Sequence, residues 1–289
     1  MQTEEPSVLA VLVTRNGAAW LPRTLRSLAR QTHPRLGVLA IDNASTDASA
    51  DLLERALGSR RVIRLEENLG FAGAIRRVLE VPAVHDVDFL LLLHDDVALA
   101  PQAVARLVEE AGRVQGAGVV GPKVLDWEGR VLLEVGFSTD RFGYPHSPLE
   151  EEEIDQGQYD TPREVLFVSS AAMLVSRAVL DRVGPPDERL APAQDELDFC
   201  WRVRLAGFRV LVTPRAVAVH RMARRRGERS GAHAPRPRYE TERASLAAIL
   251  LNYRLLTLAW VLPLYGVQGL GRLVLYLLGR RFDRAGEIL

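Results

Sequence analysis

The chain has 289 residues, enough to bury a sizeable core as one large domain or one domain with an appendage. Apolar residues make up 47% and charged residues 26%, as in an ordinary folded protein. The 37 basic and 37 acidic residues cancel, which leaves no global field to hold nucleic acid. The single cysteine, Cys200, excludes an intramolecular disulfide and fits a reducing compartment. Its setting between Phe199 and Trp201 reads as a buried, inert thiol. No basic segment followed by an apolar core opens the chain, so no cleaved export signal is expected.

Strand and helix patterns alternate over the first 120 residues. Val8 to Thr14 is apolar and β-branched, a strand, and Trp20, Leu21, Leu25 and Leu28 then recur at helical spacing. Leu36 to Ile41 is a second strand, followed by a helix through Leu52, Leu53 and Leu57. Val62 to Leu65 is a third strand and Phe71 to Leu79 a helix. Phe89 to Leu93 is a fourth strand, and a helix runs from Pro101 to about Val114. This alternation predicts an α/β fold with right-handed βαβ units and a mostly parallel central sheet flanked by helices.

From Gly118 to Phe137 the pattern turns to short strands around Trp127-Glu128-Gly129. Arg141 to Arg163 is polar and acidic, with Glu150, Glu151, Glu152, Glu153 and Asp155, and reads as a mobile loop over the site. Val165 to Val175 predicts a strand, Arg177 to Val183 a helix, and Leu197 to Leu205 another helix stopped by Gly207. Phe208 to Thr213 and Ala216 to Val219 close the α/β part. The basic run Arg221, Arg224, Arg225, Arg226 and Arg229, a solvated loop by default or else a contact for a diphosphate or anionic lipid headgroups, opens a linker expected over 223–245.

The tail, 246–289, has a different character. Leu255 to Gly271 carries no charge, at the short edge of a membrane span, while Pro263 and three glycines weaken a core-helix reading. Arg280-Arg281 suits the cytoplasmic face. Membrane contact through 246–280, inserted or in the interface plane, is expected. The alternative is an amphipathic helix packed on the domain.

The most informative segment is Phe89-Leu-Leu-Leu-Leu-His94-Asp95-Asp96-Val97, which delivers two adjacent carboxylates to the end of a buried strand. Ligands of open α/β sheets bind beyond such strand ends, and paired carboxylates repel unless a cation relieves them. Helix capping by Asp95 or Asp96 is the structural alternative. Asp42-Asn43-Ala44-Ser45-Thr46-Asp47 ends the second strand with acceptors and donors suited to a nucleobase and ribose, or to a simple Asx turn. Asn68-Leu69-Gly70-Phe71-Ala72-Gly73 sets glycines where a backbone approaches something closely, or merely turns.

Taken together, these segments resemble the family 2 glycosyltransferases, the inverting, nucleotide-sugar-dependent group with the GT-A fold. The matching runs are Val11-Leu12-Val13-Thr14-Arg15-Asn16-Gly17, Leu25-x-x-Leu28-x-x-Gln31-Thr32, Ile41 to Asp47, Asn68 to Gly73, Asp95-Asp96, and Asp195-Glu196-Leu197-Asp198-Phe199-Cys200-Trp201-Arg202. They cover about residues 7–222 and look closest to the rhamnosyl- and galactofuranosyl-transferase-like members. The resemblance implies a GT-A domain over 1–222, with a nucleotide-binding half at about 7–120 and an acceptor half at about 121–222.

The resemblance also implies roles. Asp42 contacts the nucleobase, with Thr14 and Asn16 lining the same pocket, and Asn43, Asn68, Gly70 and Asp95 belong to the nucleotide site. Asp95 and Asp96 match the end of the family's D-x-D metal motif, whose first position is His94 here. Asp96 and His220 are the implied ligands of a divalent metal, Mn2+ or Mg2+. Asp195-Glu196 matches the family's Glu-Asp pair with the acids swapped, so Glu196 takes the base position and Asp195 is its alternative. Acids at a helix N-terminus are favoured in any case, and Asp198 with Arg202 reads also as an i, i+4 surface pair.

The implied partners are a nucleotide-sugar donor and a glycan or lipid-linked acceptor at the cytoplasmic face of the plasma membrane, with no nucleic acid. A nucleotidyltransferase shares the alternating architecture and paired acids but has no need of Asp195-Glu196. A catalytically silent sugar-binding or scaffolding subunit is the third reading, kept open by His94 and the swapped acids.

Overall fold

The computed structural model of the chain describes residues 5–190, 194–229 and 237–279. Four strands of the first half, β1 (Val8–Thr14), β2 (Leu36–Asn43), β3 (Val62–Leu65) and β4 (Phe89–His94), alternate with α1 (Leu21–Ala29), α2 (Ser49–Leu57) and α3 (Gly70–Leu79). They pair in parallel in the order β3-β2-β1-β4. Leu90, Leu91, Leu92 and Leu93 are all buried because both faces of β4 are covered. Leu90 and Leu92 face one core with α3, while Leu91 and Leu93 face the other with α1 and α2, as a period of two requires.

Beyond β4 come β5 (Val97–Leu99), α4 (Ala103–Arg113), β6 (Ala117–Asp126), β7 (Leu132–Glu134), β8 (Ser138–Thr139), β9 (Pro145–His146) and β10 (Arg163–Glu164). β11 (Ala172–Ser176), α5 (Arg177–Val183), α6 (Gln194–Leu205) and β12 (Arg209–His220) follow. The sheet continues from β4 through β11, β6 and β12 to β10. Its parallel character therefore holds for β3-β2-β1-β4 and for β12 on β6, whereas β11 enters antiparallel between β4 and β6. A short antiparallel strand needs no crossover helix, which is why the alternation seen in the first half stops there.

Three other expectations change in this half. The strand expected over Val165 to Val175 splits, because the Ser169 and Ser170 N–H groups donate to carboxylates in place of a ladder. The two strands expected around Pro214 are one, β12, with an irregular step between Thr213 and Val217. Segment 141–163, expected as a mobile lid, is tied down along its length. Lys123 on β6 is buried and pairs with Asp155 and Asp160, both at 2.7 Å, while Leu132 N donates to Glu153 O and Asp155 N to Arg130 O. Leu149 and Tyr159 pack on a small core of Leu125, Leu132 and Val135.

α7 (Pro237–Asn252) begins inside the expected linker, and its Ala248 and Ile249 are buried, with Ala248 in the core that α6 lines. α8 (Leu255–Leu278) is one helix despite Pro263. It is long and apolar enough to cross a membrane, with mean hydropathy 1.4 and only 6% of its most apolar window buried. A helix packed on the domain by its apolar face would bury that face, and α8 leaves most of it exposed. Arg280-Arg281 lies outside the described residues.

Candidate active site

Carboxyl ends of β1, β2 and β4 converge with the end of β12. At the β1 end, Gly17 lets the backbone close on Asp95: a Cβ there would lie 2.1 Å from Asp95 Oδ2 and 2.8 Å from Thr14 Oγ1. Thr14 Oγ1 donates to Asp95 Oδ2 at 2.6 Å, and Arg15 N donates to the same oxygen at 3.1 Å. Asn16 adopts a left-handed φ of 51°, and its Oδ1 accepts from Thr46 N at 2.8 Å. The β1 loop is thereby stitched to the 42–47 loop.

Asp42 closes β2 at 4% exposure. Its Oδ2 accepts from Ser45 N at 3.3 Å, whereas its buried Oδ1 has no hydrogen-bond partner among the described residues. An orphaned buried acceptor is costly, and a ligand N–H would satisfy it. Asn43 differs, because both ends of its amide are used on the backbone: Oδ1 accepts from Leu69 N and Nδ2 donates to Gly70 O, each at 2.9 Å. It holds the Asn68-Gly70 turn, where Gly70 has φ of +72° and the exposed Asn68 accepts from Gly70 N at 3.1 Å. Beside the start of α2, Asp47 Oδ1 accepts from Ser49 N at 2.9 Å.

The two central aspartates diverge. Asp95 is gripped by Arg229, from Nη1 to Oδ2 at 2.9 Å and from Nη2 to Oδ1 at 2.5 Å. Asp96 faces His220, whose Nε2 lies 3.3 Å from Oδ1, and its Oδ2 accepts from Ala223 N at 2.9 Å. His94 completes a trio: one ligand atom from each of His94, Asp96 and His220 lies within 4.8 Å of the others. Burial pushes the His94 imidazole down to about 3, so it is neutral with a lone pair to offer. Burial alone raises Asp96, but the hydrogen bond and charge of His220 outweigh it and hold the carboxyl ionised. Two imidazoles and one carboxylate are a donor set that suits a divalent transition metal.

Glu196, in the first turn of α6, turns its carboxyl group inward: Oε1 accepts from Ser170 N at 2.9 Å and from Ser170 Oγ at 2.5 Å. Ser170 Oγ also lies 3.1 Å from His94 Nε2, so one hydroxyl joins Glu196 to the metal-type trio. Burial raises Glu196 despite those two hydrogen bonds. Asp195 is 5% exposed, and its Oδ1 accepts from Glu196 N at 3.0 Å. Asp198 forms the anticipated helix pair with Arg202 at 2.7 Å.

Several site residues escaped the sequence reading. His94 was set aside because it interrupts an acidic motif. Ser170 and the buried Glu134, which accepts from Ser169 N at 2.7 Å, carry no periodic or compositional signal. Arg229 is legible only as part of a basic run with a candidate diphosphate role, and the fold alone separates it from Arg224, Arg225 and Arg226, which stay exposed.

Residues 9–184 match the model of glycosyl transferase family 2, and the chain belongs to that family as a glycosyltransferase. It is 26% identical over 243 residues to the N-acetylglucosaminyl-diphospho-decaprenol L-rhamnosyltransferase of Mycobacterium tuberculosis (strain CDC 1551 / Oshkosh), covering 77% of this chain and 78% of that one. Among solved structures it resembles S. aureus TarS 1-349 in complex with UDP-GlcNAc, with TM-score 0.60, 20% identity and coverage of 86% and 68%. It also resembles the mannosyltransferase PcManGT from Pyrobaculum calidifontis in complex with GDP-Man and Mn2+, with TM-score 0.55, 18% identity and coverage of 99% and 85%. These likenesses establish the GT-A fold.

Proposed function

We propose that the chain transfers a sugar, with inversion, from a pyrimidine nucleoside diphosphate to a lipid-linked or glycan acceptor in cell-envelope synthesis. The reaction is placed at the cytoplasmic face of the plasma membrane, with membrane contact through α8. The observation that carries this reading is the Ser170 bridge, which sets a carboxylate base beside a metal-type trio at the strand ends. The relative named for a decaprenol-linked substrate supports a lipid-linked acceptor, and the nucleotide-sugar complexes of the structural neighbours support the donor class.

In this reading Asp42 Oδ1 accepts the imide N–H of the base, and Thr14 and Asn16 shape the pocket around it. Asn43 positions the Asn68-Gly70 turn. His94, Asp96 and His220 would hold a divalent cation, which would offset charge on the leaving diphosphate. Arg229 exchanges Asp95 for that diphosphate. Glu196 removes the proton of the acceptor hydroxyl as it attacks the anomeric carbon, and the C–O bond to the diphosphate breaks on the opposite face. A carboxylate raised by burial is a better base than an ordinary one.

Calorimetric titration of UDP and dTDP, with and without Mn2+, tests the reading on wild type and Asp96→Asn. Metal-dependent binding of one nucleotide, lost in the variant, is expected. Folded protein that binds neither nucleotide would remove the donor site from the proposal.

A further inference from the structure

α8 has one charged residue, Arg272, and its contacts with Phe142 and Tyr144 lie on one seam. Thr257, Val261, Tyr265, Gln268, Arg272 and Tyr276 recur at helical spacing and, with the neighbouring Leu258, Leu262, Gly269 and Leu273, make up its less exposed side. Tyr265 stacks on Tyr144 with centroids 6.0 Å apart and meets Phe142 at 6.2 Å. Arg272 Nη1 donates to Tyr144 Oη at 3.0 Å, and its guanidinium lies 5.1 Å from the Tyr144 ring centroid. Tyr144 and Phe142 belong to the tip between β8 and β9, a two-stranded sheet with open edges that exposes Asp140, Arg141 and His146.

Open sheet edges and exposed charges are not tolerated in hydrocarbon. The level of that tip is therefore outside the hydrocarbon core, and α8 is fixed to it at both Tyr265 and Arg272. Ahead of Tyr265 the helix offers about 15 Å, and beyond Arg272 about 9 Å. Neither part approaches the roughly 30 Å needed to cross. The opposite face is apolar along its whole length, with Leu256 at 86%, Val267 at 68% and Leu278 at 76% exposure.

We infer that α8 lies in the plane of the membrane, seam toward the domain and free face in the acyl boundary, and does not span it. The inference rests on the membrane contact proposed above and fixes its geometry. An in-plane helix holds the β8–β9 tip, and the acceptor half behind it, at headgroup level, where the head of a lipid-linked acceptor resides. Apolar surface of this extent along one helix is the chemistry of a lipid surface, with Arg254 exposed at its start to meet anionic headgroups.

The test uses nitroxide depth measurements on the full chain bound to phosphatidylcholine–phosphatidylglycerol vesicles. Leu256→Cys, Val267→Cys and Leu278→Cys are labelled one at a time. The native Cys200 is fully buried, with its thiol pushed up to about 12, and takes no label. The three positions are successive steps of 11 residues along nearly one line of the helix, about 16 Å apart. Equal, shallow depths within about 10 Å of the headgroups are expected. A Val267 label near the bilayer centre, with the other two near opposite surfaces, would overturn the inference in favour of a span. Spin–spin broadening without lipid contact would overturn it in favour of a second copy of the chain. Failure to bind vesicles would overturn the membrane contact itself, while nucleotide titration of the same samples reports separately on sugar transfer.

Discussion

Arg229 and Asp95, 134 residues apart, form a two-pronged ion pair in the mouth of the candidate site, with the guanidinium 5.1 Å from the Trp20 ring centroid. The pair is nearly dry: the side chains are 16% and 3% exposed. Asp95 is thereby neutralised from within the chain, which leaves Asp96 as the aspartate turned toward the two histidines. Arg229 is a cation already at the place where a diphosphate is expected.

Arg229→Ala removes one partner of a buried pair, so a stability loss of about 3 kcal/mol is expected in denaturant titration. Weaker UDP or dTDP binding should accompany it, and Arg229→Lys should not restore either property because an ammonium makes no bidentate contact. Unchanged nucleotide affinity in a folded Arg229→Ala protein would take the diphosphate role away from this residue.

Replacing the trio tests metal use. His94→Gln and His220→Gln should each raise the Mn2+ concentration for half-maximal transfer by at least about 10-fold, a loss already typical of an outer-sphere partner. A His94 variant with an unaltered Mn2+ requirement would remove His94 from the trio of ligands.

Much of the first half was legible because its strands are buried on both faces and its helices carry a clear apolar stripe, as in Phe89 to Leu93 and in Leu21, Leu25 and Leu28. The acceptor half was less so. Its 165–171 stretch keeps only an isolated bridge, Phe137 to Phe167, and Ser169 and Ser170 spend their N–H groups on Glu134 and Glu196. No local pattern announces a bond to a carboxylate 35 or 26 residues away. Asp42 and Asp96 are readable from their places at strand ends and His220 through the family resemblance, whereas Ser170 acquires meaning, and Arg229 separates from its run, only when distant strands meet.

Glu196→Gln keeps the shape and removes the base, so transfer should fall by about 10²–10⁴-fold with nucleotide affinity retained. Because burial raises Glu196, the wild-type rate should climb with pH through a point above the ordinary carboxylate range, as the basic form appears. Ser170→Ala deletes a hydrogen bond that favours the ionised form and should move that ascending limb to still higher pH. If Asp195→Asn abolishes transfer and Glu196→Gln does not, the base assignment passes to Asp195.

Lys123→Met leaves Asp155 and Asp160 without their shared ammonium, one of them largely buried at 18% exposure. A loss of about 1–3 kcal/mol is expected. Proteolytic cleavage between Glu150 and Asp160 should appear before the rest of the domain is cut. Equal protease resistance in both proteins would mean that the Leu149 and Tyr159 packing suffices to hold the segment.

His220 owes its position to a rung. It pairs with Val97 on one side and Asp126 on the other, while Thr213 pairs with Pro122 and Val217 with Lys123. Residues 214–216 therefore have no rung of their own, and the strand carries an expansion joint between the turn at Gly207 and its final imidazole. Residues gained or lost at the joint alter the count without altering the address, because the rungs past Val217 are set by β5 and β6. Alignment or redesign of this strand should hold the rung fixed and let the spacing float.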